Sequence, residues 1–548
     1  MCNSAYALMH IKVSKLDKIS KDILKVLEDH PSGLSINELS KKSKYHRNTI
    51  SPRLTDLSEE GNVKIKKTGR AKVYYLKDHA MIAEGGRMSS KNKNIQVGQG
   101  LSKDDDPYTA GKEAATSAIK DYAGKDKPDI GFVFCSGAKY GKDDKSINEF
   151  VKGISEVLED ITWVGCTTAG EISKEGLTKG SAVVTVLQSN MMYWGIASEK
   201  INSKNPKKTG IKVAKKAINN LKIDKIIHSY SQYQFLKKAK TSEMVTSDPY
   251  NMIILTQGAG VEGGDYATPV RLIKGIKEVI KSNPIVGGLA GDDERLLKNY
   301  QFHNGNYSED KVIAISLVTS HRTSFRMAHG FKPNGKIMLA TEVKDNVVSK
   351  FNNKPAAEEY ARMLGISYEQ LFPRYLRIAR KLNLEKGLLK LLIKQGKNPF
   401  KESPLGKYST KNPLGFSDEF GNIWIKAPID FLKNKEMVFL NEIPNNSALQ
   451  FLKYDSKDVY TSSINTIKTL RKDIKNKGII FAFECFQRCS SFESEIKDSS
   501  KEYSVGGDVM PIGFATYGEI GTSKQGVSGG QTVTLTTMGI SDQIISKK

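Results

Sequence analysis

Three short stretches of this 548-residue chain end an apolar run with glycines and a carboxylate: TWVGCTTAGEI (162–172), NPIVGGLAGDDE (283–294) and MPIGFATYGEIG (510–521). Glycines at such points let a backbone approach a ligand closely and supply turns with positive φ. The acids that follow are Glu171, Asp292, Asp293 and Glu519. Arg295 and Tyr517 accompany them, and Arg488 stands in FECFQRCSS (483–491). Carboxylates hold an ammonium group and an arginine fork holds a carboxylate, so a pocket offering both suits an amino-acid zwitterion. The plainer alternative is that these glycines and acids only turn and cap the chain.

Other chemistry is thinner. GAGVEGG (258–264) fits a dinucleotide-binding turn after a strand, but a proline and a threonine intervene before the helix and no acid sits convincingly at the ribose distance. Cys485 and Cys489 are four apart without a third metal ligand nearby, so inert thiols are favoured over redox or metal chemistry. The eight histidines show no HxxxH spacing, and no nucleophile–base pair stands out. The expectation is a protein that is not an enzyme and carries no cofactor and no metal.

The five cysteines include no CxxC pair, which points to a reducing compartment. The longest apolar run, GIIFAFECF, is half of what a membrane span needs, and the first residues lack a secretory leader. A soluble, cytoplasmic protein with no membrane partner is expected. With 84 Lys and Arg against 60 Asp and Glu, the net charge of +24 suggests a polyanionic partner. Lysine is spread widely, however, so only local basic clusters carry weight.

The motifs need elements to hold them, and those elements repeat. DIGFVFCSG, a helix around SINEFVKGISEVLED, the strand ending in TWVGCTTAGE and the strand SAVVTVLQ form one unit. YNMIILTQG, PVRLIKGIKEVIKS, NPIVGGLAGDDE and KVIAISLVTS form a second; KGIIFAFECF, SSFESEIKDSSKEY, MPIGFATYGEIG and QTVTLTTMG form a third. Strand, helix, glycine–acid strand end and closing strand recur, so the glycine–acid motif marks equivalent strand ends in related lobes. The middle unit matches least well, because Asp292 aligns with Glu171 and Glu519 only if one glycine slips.

Ahead of the repeats, residues 12–79 read as three short helices and a basic hairpin. SKLDKISKDILKVLEDH puts Leu16, Ile19, Ile23, Leu24 and Leu27 on one face, with Ser14 and Asp17 as a cap; Ser35 and Glu38 form a capping box. YHRNTISPRLTDLSEEG is the third helix, either with Ser51 as N-cap and Pro52 at its first position or beginning a turn earlier with Pro52 still in the first turn. NVKIKKTGRAKVYYL alternates as a hairpin turning at Thr68–Gly69. This segment resembles a winged helix-turn-helix domain. Base and phosphate donors would be Arg47, Asn48, Thr49, Ser51 and Arg53 on the helix, and Lys64, Lys66, Lys67, Arg70 and Lys72 on the hairpin. The segment carries 16 basic against 9 acidic side chains. Residues 80–94 read as a flexible linker.

From residue 95 to 540 the motifs resemble the FIST sensory domain, a signal-transduction module of prokaryotes. The resemblance rests on VGQGLSKDDDPYTAGKEA (97–114), VGCTTAGEI (164–172), GGLAGDD (287–293), FHNG (302–305), AHG (328–330), ECFQR (484–488) and GFATYGEIG (513–521). SGGQT (528–532) departs from the histidine and asparagine that the family often carries before its last strand. The resemblance implies a FIST N region over 95–345 and a FIST C region over 346–540, together a large α/β (α+β) region that senses a small molecule. The multidomain expectation is thus a one-component transcriptional regulator, acting as a homodimer, in which an amino acid or other small ligand alters how the winged helix binds double-stranded DNA. The alternative is a non-catalytic signalling scaffold that uses both regions for protein contacts.

Overall fold

The structure, a computed structural model, describes residues 17–28, 30, 34–60, 62–68, 71–76, 94–221, 250–258, 267–281, 283–395, 403–432, 434–505 and 508–544. The chain divides into two compact units: residues 1–92 with 223–241 and 546–548, and residues 93–222 with 242–545. The linker of the sequence reading falls almost wholly outside the described residues.

The first unit runs α1 (Lys18–Glu28), β1 (Leu34–Ser35), α2 (Ile36–Ser43), α3 (Arg47–Glu59), β2 (Val63–Thr68) and β3 (Ala71–Leu76), with a sheet in the order β1-β3-β2. Asp17 caps α1 by accepting from Ser20 N at 2.7 Å; Ser14 lies outside the described residues. The Ser35–Glu38 capping box forms. Helix α3 is capped by His46, not Ser51, and starts early enough that Pro52 sits in its second turn, on the exposed side. Ile50, Leu54 and Leu57, spaced four and three apart, are fully buried against Ile23, Leu27 and Leu39.

The second unit contains three lobes of one design. Lobe one runs β4 (Gln96–Ser102), α4 (Pro107–Asp121), β5 (Ile130–Ser136), α5 (Asp144–Val157), β6 (Trp163–Thr168), the hairpin β7 (Glu171–Ser173) and β8 (Gly176–Thr178), and β9 (Ala182–Gln188). Lobe two repeats it as β10 (Met192–Lys200), α6 (Pro206–Asn219), β11 (Asn251–Thr256), α7 (Ala267–Ile280), β12 (Ile285–Leu289), the hairpin β13 (Gln301–His303) and β14 (Asn306–Ser308), and β15 (Lys311–Thr319). Lobe three opens with β16 (His321–Ala328) and is then interrupted by an inserted subdomain.

That subdomain begins with β17 (Lys332–Lys344), β18 (Val347–Phe351) and β19 (Lys354–Pro355). It continues through α8 (Ala356–Leu364), α9 (Arg374–Lys381), α10 (Glu385–Lys394) and α11 (Pro404–Lys411). It ends with β20 (Leu414–Ser417), β21 (Ile423–Lys426), β22 (Pro428–Phe431), β23 (Met437–Phe439) and β24 (Ala448–Lys453). The strands form one sheet, β21-β20-β24-β17-β18-β23-β22, with β19 beside β18. Lobe three then resumes with α12 (Ser456–Asp473), β25 (Gly478–Cys485), α13 (Phe486–Ser491), α14 (Glu493–Ser500), β26 (Val509–Thr516), the hairpin β27 (Glu519–Thr522) and β28 (Ser528–Gln531), and β29 (Leu535–Ile544). The insertion, and the leading strand and helix of lobes two and three, were absent from the sequence reading.

Each lobe supplies four strands of a sheet and gives its hairpin away. The orders are β4-β9-β5-β6 followed by β13-β14, β10-β15-β11-β12 followed by β27-β28, and β16-β29-β25-β26 followed by β7-β8. Lobe one's hairpin therefore completes the sheet of lobe three, lobe two's that of lobe one, and lobe three's that of lobe two. The exchange closes on itself, and each giver is also a receiver. β5–β6, β11–β12 and β25–β26 are the parallel pairs, each joined through the helices that a parallel crossover requires.

Alternation along these strands serves two cores. Phe132 and Phe134, Ile253 and Leu255, and Phe481 and Phe483 join one cluster drawn from all three sheets, while Val133, Ile254 and Ala482 belong to the helix-side clusters. At the same level Gly165 faces Val133, Gly287 faces Ile254 and Gly513 faces Ala482. A Cβ there would lie 1.7, 2.0 and 1.7 Å from the facing carbonyl oxygen, so no side chain fits at any of the three.

Gly513→Ala is accordingly expected to destabilise by about 3 kcal/mol or more. Gly387→Ala on exposed α10, where an added methyl meets nothing within 4 Å, should be neutral or stabilise by up to about 1 kcal/mol. Urea midpoints of the two variants decide it, and equal shifts would refute the steric account.

Candidate functional site

Glu171 and Glu519 each occupy the first position of a donated hairpin. The register places Glu171 opposite Phe514, Glu519 opposite Gly288, and Gln301 opposite Cys166, in each case one residue past the strand glycine. The third member of the set is thus Gln301, and the alignment of Asp292 with the two glutamates is corrected. Lobe two carries a longer loop, residues 290–300, between its strand and its hairpin, and Asp292, Asp293 and Arg295 belong to that loop. The only sequence signal for Gln301 was its place one residue ahead of FHNG.

All three side chains cap the head of a closing strand. Glu171 Oε2 accepts from Ser181 N at 3.2 Å, Glu519 Oε2 from Thr534 N at 3.1 Å, and Gln301 Oε1 from Lys311 N at 2.9 Å. Glu171 also accepts from the hydroxyls of Thr168 and Ser181, both at 2.5 Å, and Glu519 from Thr516 Oγ1 at 2.6 Å. Burial, helped by the charge of Asp293 at Glu171 and of Glu484 at Glu519 and opposed by the neutral donors, pushes both glutamates up to about 8. They are neutral caps over much of the pH range, a role that a glutamine fills in lobe two.

Asp292 organises its own loop: it accepts from the backbone N–H groups of Leu296, Leu297 and Lys298 at 2.8, 2.6 and 3.0 Å, and from the Tyr517 hydroxyl. Asp293, at φ +53°, accepts from Ser136 Oγ at 2.5 Å and Ala138 N at 2.9 Å, pinning the loop to lobe one. Burial raises both carboxyls. Half-buried Arg295 lines a small cavity of about 100 Å³ with Gly141, Lys142, Asp292, Leu297 and Lys298. Asp292, Asp293, Arg295 and Tyr517 therefore come together.

Arg488 lies elsewhere. It is fully buried and donates to the carbonyls of His329 (2.8 Å) and Ala328 (3.3 Å) and to Ser463 Oγ (2.6 Å), and its Nε meets Glu484 at 2.6 Å. Its fork holds β25, α12 and the end of β16 together. The cysteines Cys135, Cys166, Cys485 and Cys489 are all buried, which pushes their thiols up and away from the reactive thiolate. Cys2, and all of the GAGVEGG motif except Gly258, lie outside the described residues. Among those residues no cluster of His, Cys, Asp and Glu could hold a metal ion, and no helix is long and apolar enough to cross a membrane.

In the first unit, Arg47, Asn48, Thr49 and Ser51 are exposed along the start of α3. Arg53 is engaged internally, with Nε 2.6 Å from Asp17 Oδ2. Lys64 on β2 and Lys72 on β3 are exposed; the side chains of Lys66, Lys67 and Arg70 lie outside the described residues.

Comparison with known families places this architecture among sensory regions of signal transduction. Residues 88–354 match the FIST N domain and residues 356–522 the FIST C domain. The chain belongs to the FIST-domain proteins, whose FIST domains serve as sensory domains and bind small ligands. It is also similar to "Uncharacterized protein MJ1623" of Methanocaldococcus jannaschii, 25% identical over 255 residues, which is 43% of this chain and 44% of that protein.

The buried glutamates carry a pH signature. A carboxyl whose folded-state value is raised from 4.5 to about 8 contributes stability that is whole below 4.5 and is lost as pH rises through about 8. Glu171→Gln and Glu519→Gln should therefore fold, and should flatten that decline by up to about 1.4 kcal/mol per pH unit for each group. Urea denaturation of wild type and variants at several pH values between 5 and 9 measures it; parallel curves would mean that these carboxyls are ionised.

Proposed function

We propose that the chain is a one-component transcriptional regulator: the FIST region senses a small ligand, an amino acid being the class favoured, and alters DNA binding by the first unit. The observation that carries the DNA half is the exposed row Arg47, Asn48, Thr49 and Ser51 at the start of a helix whose other face, Ile50, Leu54 and Leu57, is sealed in the core. A helix so divided presents donors at the end that enters a major groove. The order helix, strand, helix, helix and basic hairpin supports reading the first unit as a winged helix, whose phosphate contacts would be the exposed Lys64 and Lys72 on the two faces of the hairpin. Regulation requires the ligand to bind two states of the protein unequally, and a homodimer offers such states through its geometry.

A second reading, a scaffold in a signalling complex, is favoured by one feature. Tyr375, Ile378, Leu382, Leu384 and Leu391 are exposed along α9, α10 and the turn between them, more apolar surface than one short helical pair usually leaves in water.

Mixed-sequence duplex DNA titrated with the full chain distinguishes the two. The regulator predicts binding whose logarithm falls linearly with log salt, with Lys64→Ala and Lys72→Ala each lowering the slope by about one. Arg47→Ala should weaken binding more than Arg53→Ala, whose guanidinium is already paired with Asp17 at the surface. Absence of DNA binding at low salt would leave the scaffold.

A further inference from the structure

Helix α7 turns one basic row toward the inserted subdomain and the edge strand β28. Arg271 meets Asp345 at 3.3 Å and Lys274, one turn on, meets Glu442 at 3.2 Å. Lys277, the next in the row, has no carboxylate within ion-pairing distance among the described residues; its Nζ donates to the Ser528 carbonyl at 2.8 Å. A second amine reaches the same strand: Lys426, at the end of β21, donates to the Gly530 carbonyl at 2.9 Å and stands 5.5 Å from the centre of the Phe416 ring. It too has no acid partner among the described residues.

Beside it Asn441 is buried, and its Nδ2 has no hydrogen-bond partner. The Asn441 amide faces Gly530, where a Cβ would stand 2.0 Å from Oδ1, and Gly529 lies flat against Trp424, where a Cβ would stand 3.0 Å from the ring. Two cations and an idle amide thus converge on a strand stripped of side chains, at the one point in the row where a carboxylate is missing. Burial draws the Lys426 ammonium down to about 7, with Lys277 lowering it further and Glu442 opposing.

We propose that Lys426 and Asn441, with Lys277 at the rim, form the seat for the carboxylate of a small organic acid or amino acid. This rests on the FIST region being a ligand sensor and names where the anionic end of the ligand sits. One oxygen takes Lys426 Nζ and the other Asn441 Nδ2; Trp424 and the Asn441 amide already cover Gly529 and Gly530, so the ligand enters as these side chains give way. Binding restores the charge of Lys426, so it takes up a proton above neutral pH and weakens as pH rises. The seat joins lobe two, the lobe-three hairpin and the inserted subdomain, so occupancy braces one against another.

The test is saturation-transfer NMR on the methyl group of acetate with the full chain, followed by thermal unfolding against the twenty free amino acids. Acetate should take up saturation from the wild type and from Lys426→Arg, lose at least about five-fold of it in Lys426→Met and Asn441→Leu, and lose it as pH is raised from about 6.5 to 8.5. Circular dichroism confirms that the variants are folded, and acetamide serves as the uncharged control. No saturation in the wild type, or unchanged saturation in Lys426→Met, overturns the seat. An amino acid that stabilises wild type and Lys426→Met equally also overturns it, yet leaves the sensory function standing. Acetate held by Lys426 with no amino acid stabilising the wild type upholds the seat and turns the ligand class to other organic acids.

Discussion

The pairing of each lobe's fourth sheet strand with a hairpin from another lobe is the constraint on which the second unit depends. β6, β12 and β26 would be sheet edges if each lobe stood alone, with rows of unpaired N–H and C=O groups. Instead β13, β27 and β7 cover them, and because the gift passes around the ring no lobe keeps its own hairpin. The glutamates, the strand glycines and the closing strands are consequences. A hairpin that crosses to another sheet must leave its parent strand sharply, and the side chain at its first position then caps the strand that comes back. Glu171, Glu519 and Gln301 all do this by one bond to one backbone N–H. The glycine one residue earlier in the facing register lets the parallel pair close to carbonyl contact.

Much of this was legible from patterning, and some of it was not. The strands of each lobe announced themselves as apolar runs with a glycine near the end, and the crossover helices by their 3.6-residue period. The capping box at Ser35 was readable because both its residues are local. Hairpin exchange was not readable, since Ile172 and Gly513 meet only in space and neither carries a mark of its partner. The same limit misassigned Asp292: a loop of lobe two inserts between strand and hairpin, and counting along the chain cannot see which residue ends up in register. Arg488 looked like a ligand fork because it stands among the glycine–acid motifs; its partners include the carbonyls of Ala328 and His329, 160 and 159 residues away in the chain. Lys426, in WIKAP, belongs to no repeat and shows its character only through what surrounds it.

Apart from paired groups such as Arg488 and Glu484, two kinds of charged group stand out in and beside the interior. The acids Glu171 and Glu519 are kept without charge by burial, against the pull of the hydroxyls and backbone donors around them. The buried amine Lys426 donates to a carbonyl alone, with the exposed Lys277 donating to the same strand, an arrangement whose cost falls when a negative charge arrives. A sensor benefits from holding such unmet demand in one place, because the ligand's contribution is then spent on a junction between elements and not on a surface contact. The Arg271–Asp345 and Lys274–Glu442 pairs show what a satisfied version of that junction looks like in the same row.

The closed exchange also has a bearing on time. As the chain leaves the ribosome, β4 to β9 can pair early, yet the edge of β6 stays open until residues 301–308 emerge. The sheet of lobe two waits for residues 519–531. β25 and β26 gain their neighbours β29 and β7 only when one of the last described strands meets one of the earliest hairpins. Contacts so distant in sequence close slowly, and open strand edges persist for most of synthesis. Lobe one's sheet is therefore bordered once β13 and β14 arrive, whereas the sheets of lobes two and three stay open until β26 to β29 are made.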